Sequence, residues 1–318
     1  MVRLALLVGI DDYPLGSHLY GCVNDARAIA KLLSRNADGT PNFQCRMMLS
    51  SEQQITRASL RDLAEEVFNK ANVDMAVFYF AGHGSLHKSF GGHLVTQDCK
   101  PSDEGLSMDK LIALANQSPA RERLIILDCC HAGAIDDLVA TQGPVPLQKG
   151  VAILAGCGPD EDSRECGERG LFTRHVCDAL EGGAADVRGF VTTGGIYAYL
   201  NEVLTGWNQQ PLLHANLTKL TPIRRADSAV SDEKLRMLTE YFPTPDYVHP
   251  LDPSYEPSAE PEHGDHEAIF SRLQQFRAAR LLVPVGTDHM YYAAMEKRSC
   301  RLTPLGQFYW RAAKAGKI

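Results

Sequence analysis

The stretch that carries the most reactive side chains is RLIILDCCHAG, residues 123–133. It begins as an apolar run typical of a buried strand and ends in an aspartate, two cysteines and a histidine, Asp128–His131. These side chains could bind a metal ion, could include two merely buried cysteines, or could supply a thiolate nucleophile. The rest of the chain is needed to choose among the three interpretations.

The nine cysteines do not form the pattern expected of a zinc site or of a disulfide framework. Zinc sites usually use spaced pairs of ligands, but the chain has no Cys-x-x-Cys pair, and Cys129 and Cys130 would point to opposite faces of a strand. The odd number and irregular spacing argue against disulfides. The N-terminal MVRLALLVGIDDYP is typical of a first strand rather than an export signal, so we expect a cytoplasmic location.

A second reactive side chain, His83, follows another apolar run, DMAVFYFAGHG, and lies between two glycines. A thiol attacks a carbonyl as the thiolate, so it needs an imidazole to take its proton and later protonate the leaving amine. We predict that His83 does this for Cys130. The alternative is a buried cysteine and a loop histidine without a catalytic role.

Two features favour Cys130 over Cys129 as the nucleophile. Cys130 is the last residue before the chain turns, and Asp128 projects to the same face under the two-residue period of a strand. His131 is the rival base, but sequential neighbours on a strand point apart. The backbone N–H groups of Gly84 and Cys130 are the expected donors to the oxyanion of a tetrahedral intermediate.

Apolar strands alternate with helical segments over the first two thirds of the chain, which predicts an α/β fold with a mostly parallel sheet and helices on both faces. The predicted strands lie at 4–10, 43–50, 74–84, 124–127 and 150–157, and the predicted helices begin near 24 and 56 and cover 106–117, 170–182 and 192–204. Both reactive motifs then lie at carboxyl ends of neighbouring strands, where α/β proteins bind ligands.

Composition changes after about residue 225, which predicts three parts: a domain over 1–225, a linker over 226–264 and a small α-rich module over 265–318. The linker prediction depends on the Pro- and acid-rich stretch FPTPDYVHPLDPSYEPSAEPEHGDH. The module has two segments of helical period, the second beginning at Thr303 and Pro304, and it resembles a winged-helix domain. Its basic bias is mild, so we expect it to bind a regulatory partner rather than DNA.

Composition and charge exclude two broad classes of protein. A net charge of −7 argues against a protein that binds nucleic acid through a basic face. No apolar run approaches the roughly 18 residues of a membrane span. With 44% hydrophobic and 22% charged residues, the chain has the composition of a soluble globular protein.

Four stretches of the chain together resemble the caspase-like cysteine peptidases of clan CD, and most closely the metacaspases and their bacterial relatives, the orthocaspases. They are LLVGIDDYP…LYGCVNDA, FYFAGHG, LDCCHAG and ILAGCGPDEDSRECGERGLFTRHVCDAL, and the resemblance covers about residues 3–220. It implies a caspase-like fold in which His83 and Cys130 form the catalytic dyad.

The resemblance also implies that Asp25 and Asp128 line the S1 pocket, which holds the residue before the scissile bond (P1). Two carboxylates there would select Arg or Lys through charge-assisted hydrogen bonds, and the chain lacks the QACRG-type signature of the Asp-specific animal caspases. Asp25 also fits the cap of a helix N-terminus, and the two roles are not exclusive. Ala81 stands where metacaspases have a serine, so one S1 hydrogen bond is expected to be missing.

Many metacaspases need calcium, bound by acids on either side of the catalytic cysteine. This chain has GGHLVTQD where the family has a Phe-Asp-Glu run, and it keeps Asp98, Asp109, Asp136 and Asp137. Calcium requires six to eight oxygen ligands, mostly from clustered carboxylates. We therefore expect no required metal or other cofactor, although calcium could still bind.

Caspase-like enzymes often mature by cleaving themselves, which for this specificity requires basic residues in exposed loops. The candidate positions are Lys149, Arg164, Arg169, Arg224 and Arg225.

The sequence therefore predicts a regulated Arg/Lys-specific cysteine endopeptidase acting on proteins or peptides. A role in bacterial defence against phage or in programmed cell death is a hypothesis at the level of the family. The alternatives are a caspase-fold adaptor without catalysis, and transpeptidation or ligation through the same thioester.

Overall fold

The structure is a computed structural model that describes residues 1–14, 17–87, 91–100, 103–129, 146–156, 169–205, 210–258 and 260–318. The described chain divides into two compact units. The first comprises Met1–Ala185 and Phe190–Asp227, and the second comprises Asp186–Gly189 and Ser228–Ile318.

A six-stranded sheet forms the centre of the first unit. In chain order its strands are β1 (Arg3–Gly9), β2 (Gln44–Leu49), β3 (Met75–Ala81), β7 (Glu122–Asp128), β8 (Val151–Ala155) and β10 (Leu212–Asn216). The spatial order is β10-β8-β7-β3-β1-β2, and every pairing is parallel except that of β10 with β8. Every residue of β3 and β8 is buried, as expected for strands covered on both faces.

Helices cover both faces of this sheet, so the predicted layered α/β arrangement is confirmed. Apolar side chains of α2 (Arg57–Asn69) and α3 (Met108–Gln117) pack on one face. Those of α1 (Cys22–Ser34), α4 (Leu171–Asp178) and α5 (Thr193–Leu204) pack on the other. A short antiparallel pair, β9 (Phe190–Val191) with β11 (Arg224–Arg225), also belongs to this unit.

Three of the predicted helices begin with a side-chain cap. The Thr56 hydroxyl accepts a hydrogen bond from the Ser59 amide at the start of α2, and Ser107 accepts one from the Lys110 amide at the start of α3. Thr303 caps the last helix of the chain in the same way. Each side chain satisfies a backbone donor that the helix itself leaves unpaired.

The sequence did not predict an antiparallel three-stranded sheet between β3 and α3, formed by β4 (Gly84–His87), β5 (Gly91–Lys100) and β6 (Asp103–Ser107). Its signal lies in GGHLVTQD, where buried and partly buried residues alternate along β5. That alternation is typical of a strand with one covered face. The sheet follows His83 directly and thereby fixes where the Gly-His-Gly turn ends.

The second unit contains helices and a three-stranded antiparallel sheet. The helices are α6 (Asp232–Arg236), α7 (Leu238–Tyr241), α8 (Gly264–Ala278), α9 (Met290–Met295) and α10 (Pro304–Lys314). The strands β12 (Val248–Pro250), β13 (Leu282–Val285) and β14 (Ser299–Leu302) pair in the order β12-β14-β13. The winged-helix likeness of residues 265–318 stays a prediction.

The prediction of an extended linker over 226–264 is wrong for the residues that the structure describes there. This segment contributes α6, α7 and β12, and Leu235, Leu238, Phe242 and Leu251 are buried in the core of the second unit. Its prolines and acids occupy mostly exposed positions, so the average composition hid apolar residues that are spaced widely enough to face one core.

Across the described residues, none of the helices has both the length and the apolar character needed to span a membrane.

Candidate active site

The two reactive motifs meet at the carboxyl edge of the central sheet. Strands β3 and β7 are parallel neighbours in which Ala81 lies beside Asp128, and the Gly82 amide donates to the Asp128 carbonyl at 3.3 Å. Cys129 follows β7 directly, is the last described residue before 146, and is fully buried in the core. Cys130 lies outside the described residues, so its role as the nucleophile stays a prediction, but the burial of Cys129 supports the choice between them.

His83 is half-buried, and one ring nitrogen is fixed by a hydrogen bond. Its Nε2 lies 2.7 Å from the Ser17 carbonyl oxygen. Because a carbonyl oxygen can only accept, Nε2 must carry a proton, and in the neutral ring Nδ1 is then the basic nitrogen. The arrangement leaves Nδ1 to accept a proton from a thiol.

Tyr13 positions His83, and this role was not predicted. Its hydroxyl accepts a hydrogen bond from the His83 amide at 2.9 Å, and the two ring centroids are 4.6 Å apart. A Cβ atom on Gly82 would lie only 2.5 Å from the Tyr13 hydroxyl, so the glycine before the histidine makes room for this contact. Burial raises the pKa of Tyr13 well above its ordinary value, which keeps the hydroxyl protonated.

Replacing Tyr13 with Phe is expected to lower kcat for a cleaved peptide about three- to tenfold with little change in KM, because His83 loses its backbone anchor but stays present. Steady-state kinetics would measure the change, with Tyr292→Phe, an exposed tyrosine of the second unit, as control. An unchanged kcat would assign Tyr13 to packing alone.

The ladder between β4 and β5 shows that the Gly84 N–H does not pair with β5. The Val95 amide donates to the His83 carbonyl at 3.0 Å, and Gly84 pairs with Leu94 one step further along the ladder. Hydrogen-bonded and non-hydrogen-bonded pairs alternate in an antiparallel ladder, so the Gly84 N–H points away from β5. The oxyanion role itself stays a prediction, as does the part assigned to the amide of Cys130.

Asp25 and Asp128 approach each other at the N-terminus of α4. They are 1% and 5% exposed. The Gly170 amide donates to Asp25 Oδ2 at 2.8 Å, and the Thr173 amide and hydroxyl donate to Asp128 Oδ2 at 3.3 and 2.7 Å. A Cβ atom on Gly170 would lie 2.5 Å from Asp128 Oδ2 and 3.0 Å from Asp25 Oδ2, so only glycine lets the helix start between the two carboxylates. The structure therefore brings together the two acids assigned to S1.

The electrostatics of this pair favour a bound cation. Burial, and secondarily the negative charge of Asp128, raise the pKa of Asp25 to about 7. Two buried carboxylates are costly to ionise together unless a positive charge lies beside them. Arg169 supplies one such charge, with its Nε 3.3 Å from Asp25 Oδ1.

Thr173 and Tyr79 hold Asp128 in place, and neither role was predicted. The Thr173 hydroxyl gives its single proton to Asp128, so the Tyr79 hydroxyl, 2.6 Å away, must donate to Thr173. Tyr79 is fully buried in β3. In the sequence, Thr173 belongs to the GLFT stretch at 170–173, which is part of the family resemblance but did not predict a role for the threonine.

The alternative role of Asp25 as the cap of its own helix is wrong. Helix α1 is capped at Gly21, and Asp11 accepts hydrogen bonds from the Cys22 and Val23 amides at 2.8 and 3.4 Å. Asp25 lies one turn later, and its side chain points to Arg169 and Gly170 instead.

The candidate self-cleavage positions differ in their exposure. Lys149 lies in an exposed turn, and Arg225 is exposed within β11. The expectation of an exposed loop at Arg224 is wrong, because this residue is 9% exposed and its guanidinium donates to three backbone carbonyls. Arg169 is half-buried beside Asp25, and Arg164 lies outside the described residues. Cleavage at any of these positions stays a prediction.

The acids considered for calcium do not form a calcium site among the described residues, where no three His, Cys, Asp or Glu side chains are grouped to hold a metal ion. Asp98 Oδ1 already accepts from the Thr96 hydroxyl at 2.7 Å and the Arg57 amide at 2.9 Å. Burial alone would raise the pKa of Asp98, but these hydrogen bonds lower it. Asp109 is an exposed residue in the first turn of α3, while 136 and 137 lie outside the described residues.

The family model described as the caspase domain, peptidase C14, matches residues 2–221, which is more than half of the chain. The chain belongs to this family. The caspase-like fold is thereby confirmed, and the metacaspase resemblance is supported by curated relatives.

Two of these relatives are Metacaspase-2 of Trypanosoma brucei brucei, 30% identical over 152 residues, and Metacaspase-4 of Arabidopsis thaliana, 26% identical over 200 residues. The aligned parts are 43% and 60% of this chain, but only 43% and 46% of the relatives. This caspase-domain protein therefore covers less than half of their length.

Known structures give the same fold. Caspase-1 of Spodoptera frugiperda superposes with a TM-score of 0.52 at 15% identity, over 71% of this chain and 90% of its own. A protein from Geobacter sulfurreducens superposes with a TM-score of 0.54 at 16% identity, over 71% of this chain and all of its own. At these identities the similarity establishes the fold alone.

Proposed function

We propose that this caspase-domain protein is a cysteine endopeptidase that cleaves proteins or peptides after Arg or Lys. The observation that carries the specificity is the pair of buried carboxylates, Asp25 and Asp128, at the start of α4. A P1 guanidinium or ammonium group would neutralise their charge and form charge-assisted hydrogen bonds. An acidic P1 side chain would meet two like charges in a buried site.

The chemical steps follow from His83 and Cys130. His83 Nδ1 takes the thiol proton, and the thiolate attacks the scissile carbonyl carbon to form a tetrahedral oxyanion next to the Gly84 amide. The imidazolium then protonates the leaving amine, which breaks the C–N bond and leaves a thioester. A water molecule, deprotonated by His83, hydrolyses the thioester and regenerates the thiol.

The regulation, location and biological role of the protein are also part of the proposal. We expect activity to be regulated, with self-processing at exposed basic residues such as Lys149, and the second unit to bind a regulatory partner. A cytoplasmic location and a role in defence or programmed cell death complete the hypothesis. A Cys130→Ala strain that matched the wild type in growth and phage resistance would remove support for that role.

The proposal is tested with fluorogenic peptides that differ only in a P1 residue of Arg, Lys, Asp or Gln. Wild type and Cys130→Ala are compared in calcium and in chelator. We expect cleavage after Arg and Lys, its loss in the variant, and activity in chelator within about twofold of that in calcium, because Asp98 is already occupied by Thr96 and Arg57.

Other outcomes separate the alternatives. Cleavage only after Asp would refute the S1 assignment, and activity that disappears in chelator would refute calcium independence. Transfer of the acyl group to an added amine, in place of hydrolysis, would indicate a ligase. No turnover of any peptide would favour the adaptor function.

A further inference from the structure

Arg169 presents to the S1 acids the same chemical group as a substrate arginine. Its Nε lies 3.3 Å from Asp25 Oδ1, and its Nη2 lies 3.0 Å from the sulfur of Cys177. Arg169 is also covalently joined to Gly170, whose amide donates to the other oxygen of Asp25. The chain thus brings its own guanidinium to one of the two carboxylates that a P1 cation would need.

The contact between Arg169 and Asp25 is a charge pair of unequal burial. The Asp25 side chain is 2% exposed, whereas that of Arg169 is 35% exposed. Burial raises the pKa of Cys177 to about 11, so the thiol beside Arg169 is neutral and adds only a weak hydrogen bond. Arg169 can therefore turn towards water at moderate cost, but Asp25 has no comparable freedom.

Two guanidinium groups cannot share Asp25 without repelling each other in a poorly solvated site. A basic P1 side chain must displace Arg169 to reach both acids. A neutral P1 side chain does not compete with Arg169 for Asp25, so the ion pair can stay intact when such a substrate binds.

We propose that Arg169 is a specificity-determining residue that occupies the S1 site in the absence of substrate and reduces the advantage of basic over neutral P1 residues. The proposal rests on the proposed function, since it assumes that a basic P1 side chain binds to Asp25 and Asp128. Part of the binding free energy of an Arg substrate is needed to break the ion pair between Arg169 and Asp25, so the observed affinity is lower than it would be for an open pocket.

The test measures binding without turnover. In a full-length Cys130→Ala background, calorimetry gives the Kd of two peptides that are identical except for Arg or Gln at P1. The variants compared are the parent, Arg169→Ala, Arg169→Gln, Arg169→Lys and Arg174→Ala. Arg174 is an exposed arginine on the same helix and is the matched control.

We expect the Arg peptide to bind about tenfold more tightly when residue 169 is Ala or Gln, and the Gln peptide to bind no more tightly than in the parent. Arg169→Lys, which keeps the charge, should remain close to the parent, and Arg174→Ala should not change either Kd. Thermal unfolding of each variant shows that the folded state is retained. The use of both Ala and Gln keeps the test informative if one variant does not fold.

Two results would overturn the proposal, and they differ in what else they overturn. If the Arg169 variants bind the Arg peptide equally or more weakly, while the parent still prefers Arg to Gln, Arg169 is a structural counter-ion and the proposed function stands. If neither the parent nor any variant distinguishes the two peptides, the basic S1 specificity is itself wrong.

Discussion

Replacing His83 with Asn is expected to lower kcat/KM for an Arg-P1 peptide about 10³- to 10⁴-fold, with little change in KM. The Ser17 carbonyl holds a proton on Nε2 and leaves Nδ1 as the base, and an asparagine amide cannot accept and return a proton in this way. The contact of Tyr13 with the His83 backbone amide does not depend on the side chain at position 83, so the turn should survive the substitution. Initial rates over a range of substrate concentrations would measure the loss.

His93→Asn is the matched control for this experiment. His93 is a partly buried histidine of β5, in the antiparallel sheet that follows His83, and its Nδ1 contacts the Gly91 carbonyl. Its replacement should leave kcat/KM within about twofold of wild type. If His83→Asn retained activity that Cys130→Ala had lost, a different base would be required, and His131 would become the first candidate.

The sequence predicted the five parallel strands of the central sheet because four of them contain a continuous apolar run between helical segments, while β2 is more polar. It did not predict the antiparallel edge strand β10. It did not predict the β4-β5-β6 sheet, because a half-covered strand leaves only a weak alternation that GGHLVTQD shares with many loops. The prediction for residues 226–264 was wrong for a different reason. There the Pro- and acid-rich composition predicted an extended linker, whereas a few spaced apolar residues such as Phe242 and Leu251 are enough to join a core.

Site residues that lie in short motifs could be predicted, and those that act across the fold could not. His83 and Asp128 end strands that are recognisable in the sequence. Tyr13 reaches His83 from 70 positions away, and Thr173 reaches Asp128 from 45 positions away. Their hydroxyl groups have no distinguishing pattern in the sequence, because only the packing of β3 against its neighbours decides which buried donors meet which acceptors.

The start of α4 lies beside Asp25 and Asp128, the two acids of the proposed P1 site. Unpaired amides at a helix N-terminus favour negative charge, which helps to keep Asp25 and Asp128 at a buried position. Strand β7 ends at Asp128, two positions before Cys130 in the sequence, so the acid assigned to S1 and the predicted nucleophile are near neighbours in the chain. If the proposed function holds, we expect changes in the packing of β7 against β3 to affect both P1 selection and the rate of attack.

Replacing Asp128 with Asn is expected to lower kcat/KM for an Arg-P1 peptide about 30- to 10³-fold, mostly through KM. The substitution removes one charge from the pair but keeps an oxygen that can accept from Thr173, so the loss should reflect the charge more than the fold. Cleavage after Gln should change far less. Asp62→Asn, at an exposed position of α2, is the matched control. Equal losses for the Arg and Gln peptides would show that Asp128 supports the catalytic edge rather than P1 selection.

Asp25→Asn should in addition change the pH dependence of KM. With a pKa of about 7, Asp25 gains its charge as the pH rises through neutrality, so KM for an Arg peptide should fall over that interval in wild type and stay flat in the variant.

The same ionisation of Asp25 that favours substrate binding should lower the stability of the folded protein. The folded-state pKa lies above the ordinary value near 4, so the acid's contribution to stability is complete below pH 4 and is lost as the pH rises towards 7. Asp25→Asn should therefore raise the melting temperature relative to wild type more at pH 8 than at pH 4. A fall at pH 8 would mean that the ion pair with Arg169 outweighs the burial of the charge.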